Sequence, residues 1–138
     1  MKGGLGLGIL AVMGASAQEP PRIELVVRFG SAAAGRARPD SDVDVAVLAE
    51  RELSLADQER VVVDLARRHG MPEDRIDLVD LRTAPPLLLH EIAERGELLE
   101  GTPEDFLRFR VTAWKIYQDT ARLRRARQEN LRKRLDVP

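Results

Sequence analysis

The sequence contains no cysteine. This excludes a disulfide framework, a thiolate metal site and a cysteine nucleophile. Histidine is almost as scarce. His69 and His90 are the only two, too few and too far apart for a histidine-rich metal centre. A metal bound here is therefore expected to be a hard cation held by carboxylates. A dominant charge is missing too: the formal net charge is −1, so no overall field draws the chain to nucleic acid or to a membrane. No apolar run is long enough to span a bilayer. Internal repeats and low-complexity segments are absent. What remains is an ordinary globular composition, 43% hydrophobic and 33% charged over 138 residues, enough for one domain around one core.

The first residues carry a pattern of their own. Lys2, the apolar stretch from Leu5 to Val12 and the Ala15-Ser16-Ala17 ending have the form of a secretory leader with a small-residue cleavage site. A short N-terminal helix, or residues read from a start codon set too early, fits the same letters. Gly6, Gly8 and Gly14 weaken the helical alternative. Pro20-Pro21 ends whatever precedes it.

Beyond the prolines, the chain reads as alternating strands and helices. Ile23 to Phe29 is apolar and β-branched, a strand. Gly30 to Ser41 is small, basic and turn-rich, a loop. Asp42 to Leu48 is a second strand. Ser54 and Asp57 form a capping-box-like start for a helix to about His69, stopped by Gly70. Arg75 to Leu81 alternates with period two, a third strand. Pro85 or Pro86 opens a short helix that Gly96 closes, and Glu97 to Glu100 adds a short edge strand. Thr102-Pro103-Glu104-Asp105 is a strong helix start, with a capping threonine, proline at the first helical position and acids for the macrodipole. The expected fold class is α/β (α+β): a small mixed sheet of three or four strands with helices packed on one side.

Three segments carry chemistry. Gly30-Ser31 follows a strand directly. Glycine lets a backbone approach a ligand, exposed N–H groups bind anions, and the serine hydroxyl adds a hydrogen bond. Taken alone, it is also an ordinary turn. Asp42 and Asp44 are two apart on a strand, so both carboxylates face one way, while Val43, Val45 and Val47 face the core. Side-by-side aspartates repel, and aspartate is a poor strand former. A divalent cation removes that repulsion; a solvated sheet edge is the plain alternative. Asp77 sits among Ile76, Leu78 and Val79, so it needs a partner, either a cation or a nearby arginine. Asp80 falls on the opposite face and reads as a strand-end group.

Together these segments resemble the minimal nucleotidyltransferases (MNT) of the DNA polymerase β superfamily. Gly30-Ser31, ten residues, then Asp42-x-Asp44 matches the family's glycine-serine and paired-aspartate signature. Phe29-Gly30-Ser31, Gly35-Arg36, Ser41-Asp42-Val43-Asp44-Val45-Ala46-Val47 and Ile76-Asp77-Leu78-Val79 fall where the family has its phosphate turn, its first two acids and its third acid. The resemblance covers roughly residues 22 to 120. The chain departs from the pattern at Arg28, where an aliphatic or aromatic residue is common, and at Ala34, where a basic one is.

The resemblance implies a fold of the polymerase-β-like nucleotidyltransferase type; together with the leader pattern and the basic run it divides the chain into residues 1–21, a leader or short helix; 22–121, the nucleotidyltransferase domain; and 122–138, a basic helix end or tail. It implies ATP as substrate and two Mg²⁺ ions held by Asp42, Asp44 and Asp77, the same three residues being catalytic. Gly30, Ser31, Arg36 and Ser41 are the implied nucleotide-binding residues. Arg38 is an alternative to Arg36 for the triphosphate, and both also read as solvated loop residues. Such small stand-alone members act as antitoxins encoded beside a HEPN-domain toxin, transferring AMP to a toxin tyrosine. A small-molecule hydroxyl acceptor and a non-catalytic antitoxin that masks its partner remain the competing readings. A reaction consuming ATP points to the cytoplasm rather than to secretion. The basic run from Arg122 to Arg134 reads as a solvated helix face or an acidic-partner dock. Direct nucleic-acid binding is not expected of it, because no aromatic stacking residue accompanies the run. Trp114 and Tyr117, at helical spacing, read as core or partner contacts, and His90 as a surface residue.

Overall fold

The computed structural model describes residues 19–30, 35 and 42–136. The leader pattern, Ser31, Arg36, Arg38 and Ser41 lie outside the described residues. Four strands and three α-helices are present among those described. In chain order they are β1 (Ile23–Phe29), β2 (Val43–Ala49), α1 (Leu55–His69), β3 (Ile76–Asp80), α2 (Pro86–Arg95), β4 (Glu97–Glu100) and α3 (Pro103–Asp136). The sheet order is β3-β2-β1-β4. β1 pairs antiparallel with both β2 and β4, and β2 pairs parallel with β3. A parallel pair needs a crossover, and α1 supplies it.

Local chemistry accounts for the helix ends. Ser54 Oγ accepts from the Asp57 N–H, and the Ser54 N–H donates back to Asp57 Oδ2, closing the capping box. Gly70 ends α1 in the left-handed conformation, with φ of 64°. Thr102 Oγ1 accepts from the Asp105 N–H at the start of α3. Asp80, the strand-end group, accepts from the backbone N–H groups of Leu53 and Arg82. It fastens the chain where β3 ends.

The mixed sheet stands as expected, but the helices are not on one side. Val26, Val45, Val47 and Ala49 are buried on one face against Val61 and Leu65 of α1. Leu25, Val27, Phe29 and Ala46 are buried on the other, against Ile92 and Ala93 of α2 and Phe109 and Ala113 of α3. The physical reason lies in β1 and β2. Both are apolar on successive residues rather than on alternate ones, and a strand apolar on both faces needs cover on both. The sheet thus separates two cores, and its β2 and β3 starts share one edge with the end of β1.

Candidate active site

At that edge the pairing register does the assembly. Phe29 of β1 lies opposite Asp44 of β2, and Asp44 lies opposite Asp77 of β3. Asp42 directly precedes β2 and shares the face of Asp44. Asp77 stands 33 positions after Asp44 in the chain, yet the three acids meet at the starts of two adjacent strands. Their face is the one that α2 and α3 cover further along, since Ala46 and Val79 on the same face pack into that core.

Each acid has a distinct environment. Asp42 and Asp77 are exposed, and Asp44 between them is half-buried. Asp77 was expected to sit among apolar neighbours and to need a partner. Period-two alternation instead turns Ile76 and Leu78 to the α1 core and leaves the carboxylate in solvent. No salt bridge ties it to an arginine among the described residues. The Asp44 carboxyl is held above the usual carboxylate range, first by burial and then by the charges of Asp77, Asp42 and Glu91.

Gly30 explains how close the first strand comes. It has φ of 72°, and a Cβ built there would collide with the Asp44 carboxylate. The missing side chain leaves the space that Asp44 occupies. Ser31, Arg36 and Ser41, the other expected nucleotide contacts, fall outside the described residues.

Glu91 escaped the sequence reading. It lies on α2, exposed, and adds its charge to Asp44 only because α2 packs over β1. No local motif marks it. Trp114 and Tyr117 part company: Trp114 is 54% exposed, whereas Tyr117 is half-buried with His90 stacked on its ring at 3.8 Å. His90 is thus a packing residue rather than a free surface one.

The donor set suits a hard divalent cation, being all carboxylate oxygen. A cation would also cancel the mutual repulsion that raises the Asp44 carboxyl. The described residues do not, however, close into a cluster of three ligands around one point. The acids are near enough to feel one another's charge without forming a finished cage.

A four-stranded mixed sheet with a glycine turn and three acids at one edge is the frame of a nucleotidyltransferase. The chain belongs to the family described as Polymerase beta, Nucleotidyltransferase, which it matches over residues 15–105. It is 34% identical over 98 residues to protein adenylyltransferase MntA of Shewanella oneidensis, covering 71% of this chain and 68% of that one. Among solved structures it is similar to a toxin–antitoxin with AMP-PNP, with TM-score 0.68 and 32% identity, covering 80% of this chain and 87% of that one. It is also similar to a chain from the complex of tri-AMPylated Shewanella oneidensis HEPN toxin with MNT antitoxin. There the TM-score is 0.62 and the identity 27%, covering 92% and 96% of the two chains.

The Gly30 contact yields a direct expectation. Gly30→Ala forces a side chain into left-handed backbone, at about 1–2 kcal/mol, and drives Asp44 aside. Nucleotidyl transfer is expected to fall roughly a hundredfold, as for a misplacement of about 1 Å. Thermal unfolding and a transfer assay on the same preparation check it. Full activity would mean that the position of Asp44 is not set by this contact.

Proposed function

We propose that this protein is an Mg²⁺-dependent adenylyltransferase that moves AMP from ATP to a tyrosine hydroxyl of a HEPN-domain toxin, and so acts as its antitoxin. The observation that carries the reading is the meeting of Asp42, Asp44 and Asp77 at one sheet edge, with Gly30 against Asp44. It is supported by 34% identity to a protein adenylyltransferase and by likeness to a chain solved with an AMPylated HEPN toxin. The reaction is assigned to the cytoplasm, where ATP is made and used. No described helix is long and apolar enough to cross a membrane.

The residues have separable tasks. Asp42, Asp44 and Asp77 would hold two Mg²⁺ ions, which would supply stabilisation of the entering and leaving oxygens of the displacement. The backbone N–H groups at Gly30 and Ser31 and the Ser31 hydroxyl hold the β- and γ-phosphates. Arg36 adds a cation to the triphosphate, and Ser41 a hydroxyl beside Asp42. Asp77, exposed at the open side of the edge, accepts the proton of the acceptor hydroxyl. The acceptor oxygen forms a bond to the α-phosphorus as the bond to pyrophosphate breaks, and pyrophosphate carries off the electron pair. The exposure of Asp42 and Asp77 leaves the edge open to a bulky protein acceptor.

The test is transfer from labelled ATP, with Mg²⁺, to the co-expressed HEPN-domain protein encoded beside this chain, read by intact mass. The acceptor is expected to gain AMP, and the gain is expected to disappear with Asp42→Asn. A stable complex without any gain would overturn transfer in favour of masking by binding. Neither complex nor gain would point to a small-molecule acceptor.

A further inference from the structure

α3 is much longer than the body it packs on. Its thirty-four residues span about 51 Å. Phe109 and Ala113 in its first half are buried in the core, and Phe106 and Ile116 pack against it. From residue 122 onward every described side chain except Arg124 is exposed. An isolated helix of roughly 12–15 residues, the length of this projecting end, is marginal in water. This one continues a packed helix, so it needs no nucleus of its own.

Its exit from the body is fixed. The Tyr117 ring lies between His90, stacked at 3.8 Å, and the guanidinium of Arg124, 3.8 Å from the ring centroid. Arg124 also donates to Thr120 Oγ1 at 2.6 Å and to the Tyr117 carbonyl at 2.9 Å. The Arg124 contacts lie within α3, so the stack of His90 on Tyr117 is what holds this part of the helix to α2.

The free end carries a patterned face. Leu123, Arg127, Leu131 and Leu135 follow one another at i, i+4 spacing and share one side of the helix. The three leucines are 65%, 58% and 82% exposed. Leu123 and Arg127 border a notch of about 330 Å³ with Pro85, Pro86 and Leu87 from the start of α2, and Leu87 is itself 59% exposed. The apolar stripe therefore runs from the body out along the helix. Arg127 lies within it and Arg134 beside it, neither in an ion pair among the described residues, while Arg122, Arg125, Arg132 and Lys133 fall on the other sides of the helix at 3.6 residues per turn.

We propose that this face is the docking surface for an acidic, apolar-centred face of the protein that receives AMP; the inference rests on the adenylyltransferase reading above. The charge selects the occupant. A second copy would bring one cationic stripe against another. A single-stranded nucleic acid would find no aromatic residue to stack on beyond Tyr117, whose ring is already covered on both sides. Exposed leucines with the unpaired Arg127 and Arg134 among them fit a protein surface with an apolar centre and acidic groups beside it, which gives fast, salt-sensitive association.

The experiment uses the full chain, its Arg127→Glu/Arg134→Glu double variant and the HEPN-domain protein encoded beside it. Circular dichroism checks that the variant is as helical as the parent. The KM for the acceptor is expected to rise roughly tenfold or more with kcat unchanged, and the salt dependence of binding to flatten. An unchanged KM would overturn the proposal. So would loss of binding to a single-stranded RNA oligonucleotide or to anionic phospholipid vesicles while the acceptor's KM stayed the same. If the parent transfers no AMP yet the double variant still weakens the complex, the docking surface stands and the adenylyltransferase reading falls. If the parent neither transfers AMP nor binds the acceptor, both fall.

Discussion

Asp44→Asn is expected to abolish AMP transfer while leaving the protein at least as stable as before. The loss should exceed about a thousandfold, or about 4 kcal/mol of transition-state stabilisation, because Asp44 pairs with Asp77 in the register and feels the charges of both Asp77 and Asp42. The stability side follows from charge. Burial, then Asp77, Asp42 and Glu91, raise the Asp44 carboxyl above its ordinary value. A carboxylate raised on folding opposes folding at neutral pH, where it must ionise in an unfavourable field. The amide keeps the shape and removes that charge. Denaturant unfolding without Mg²⁺ and transfer with it separate the two effects. Loss of both together would mean that Asp44 holds the fold, and that its coincidence with the catalytic edge is structural.

Asp57→Ala is expected to do the opposite, costing stability without touching the chemistry. Asp57 is 1% exposed. Its carboxylate accepts from Arg51 at 2.5 Å, from Arg60 at 2.7 Å and from the Ser54 N–H at 3.0 Å. Arg51 in turn donates to the Glu19 carbonyl, so one buried acid ties the start of α1 to the segment before β1. Both arginines are more than a third exposed, which makes the loss smaller than for a fully buried pair. With the lost cap, it is expected at about 2–3 kcal/mol, or a melting temperature lower by about 10 °C. The Arg51 hydrogen bond leads in holding the Asp57 carboxyl far below its usual range, with burial opposing it and Ser54 helping. Since the folded value is depressed, the stabilisation is complete above the unfolded value of about 3.9. It is lost as pH falls below that toward the folded value. The parent should therefore lose stability on acidification below about pH 4 that Asp57→Ala no longer has to lose. Parallel unfolding curves for the two proteins across that range would remove Asp57 from this role.

Local chemistry made much of the fold readable. Ser54, Asp57 and Gly70 mark the ends of α1 because caps act within four residues. Thr102 and Pro103 do the same for α3, and the alternation in β2 put Asp42 and Asp44 on one face. The same alternation was misread at Asp77. Apolar neighbours in sequence suggested burial, but neighbours along a strand point to the opposite face. The layering was misread too, because successive apolar residues in β1 announce two covered faces only once the second layer is considered.

Strands and helices, their caps, the glycine turn and the like-facing aspartate pair depend on neighbours along the chain, and all were legible in the order of residues. Tertiary structure alone decided what depends on register and packing between elements. Pairing of β2 with β3 set Asp77 beside Asp44. The placement of α2 added Glu91 to the field on Asp44. The stack of His90, Tyr117 and Arg124 turned a basic tail into an anchored, projecting face. Apart from Arg124 on Tyr117, which lie on one helix, these contacts join residues more than two dozen positions apart, and their energies arise only when separate elements have packed, so no local pattern records them.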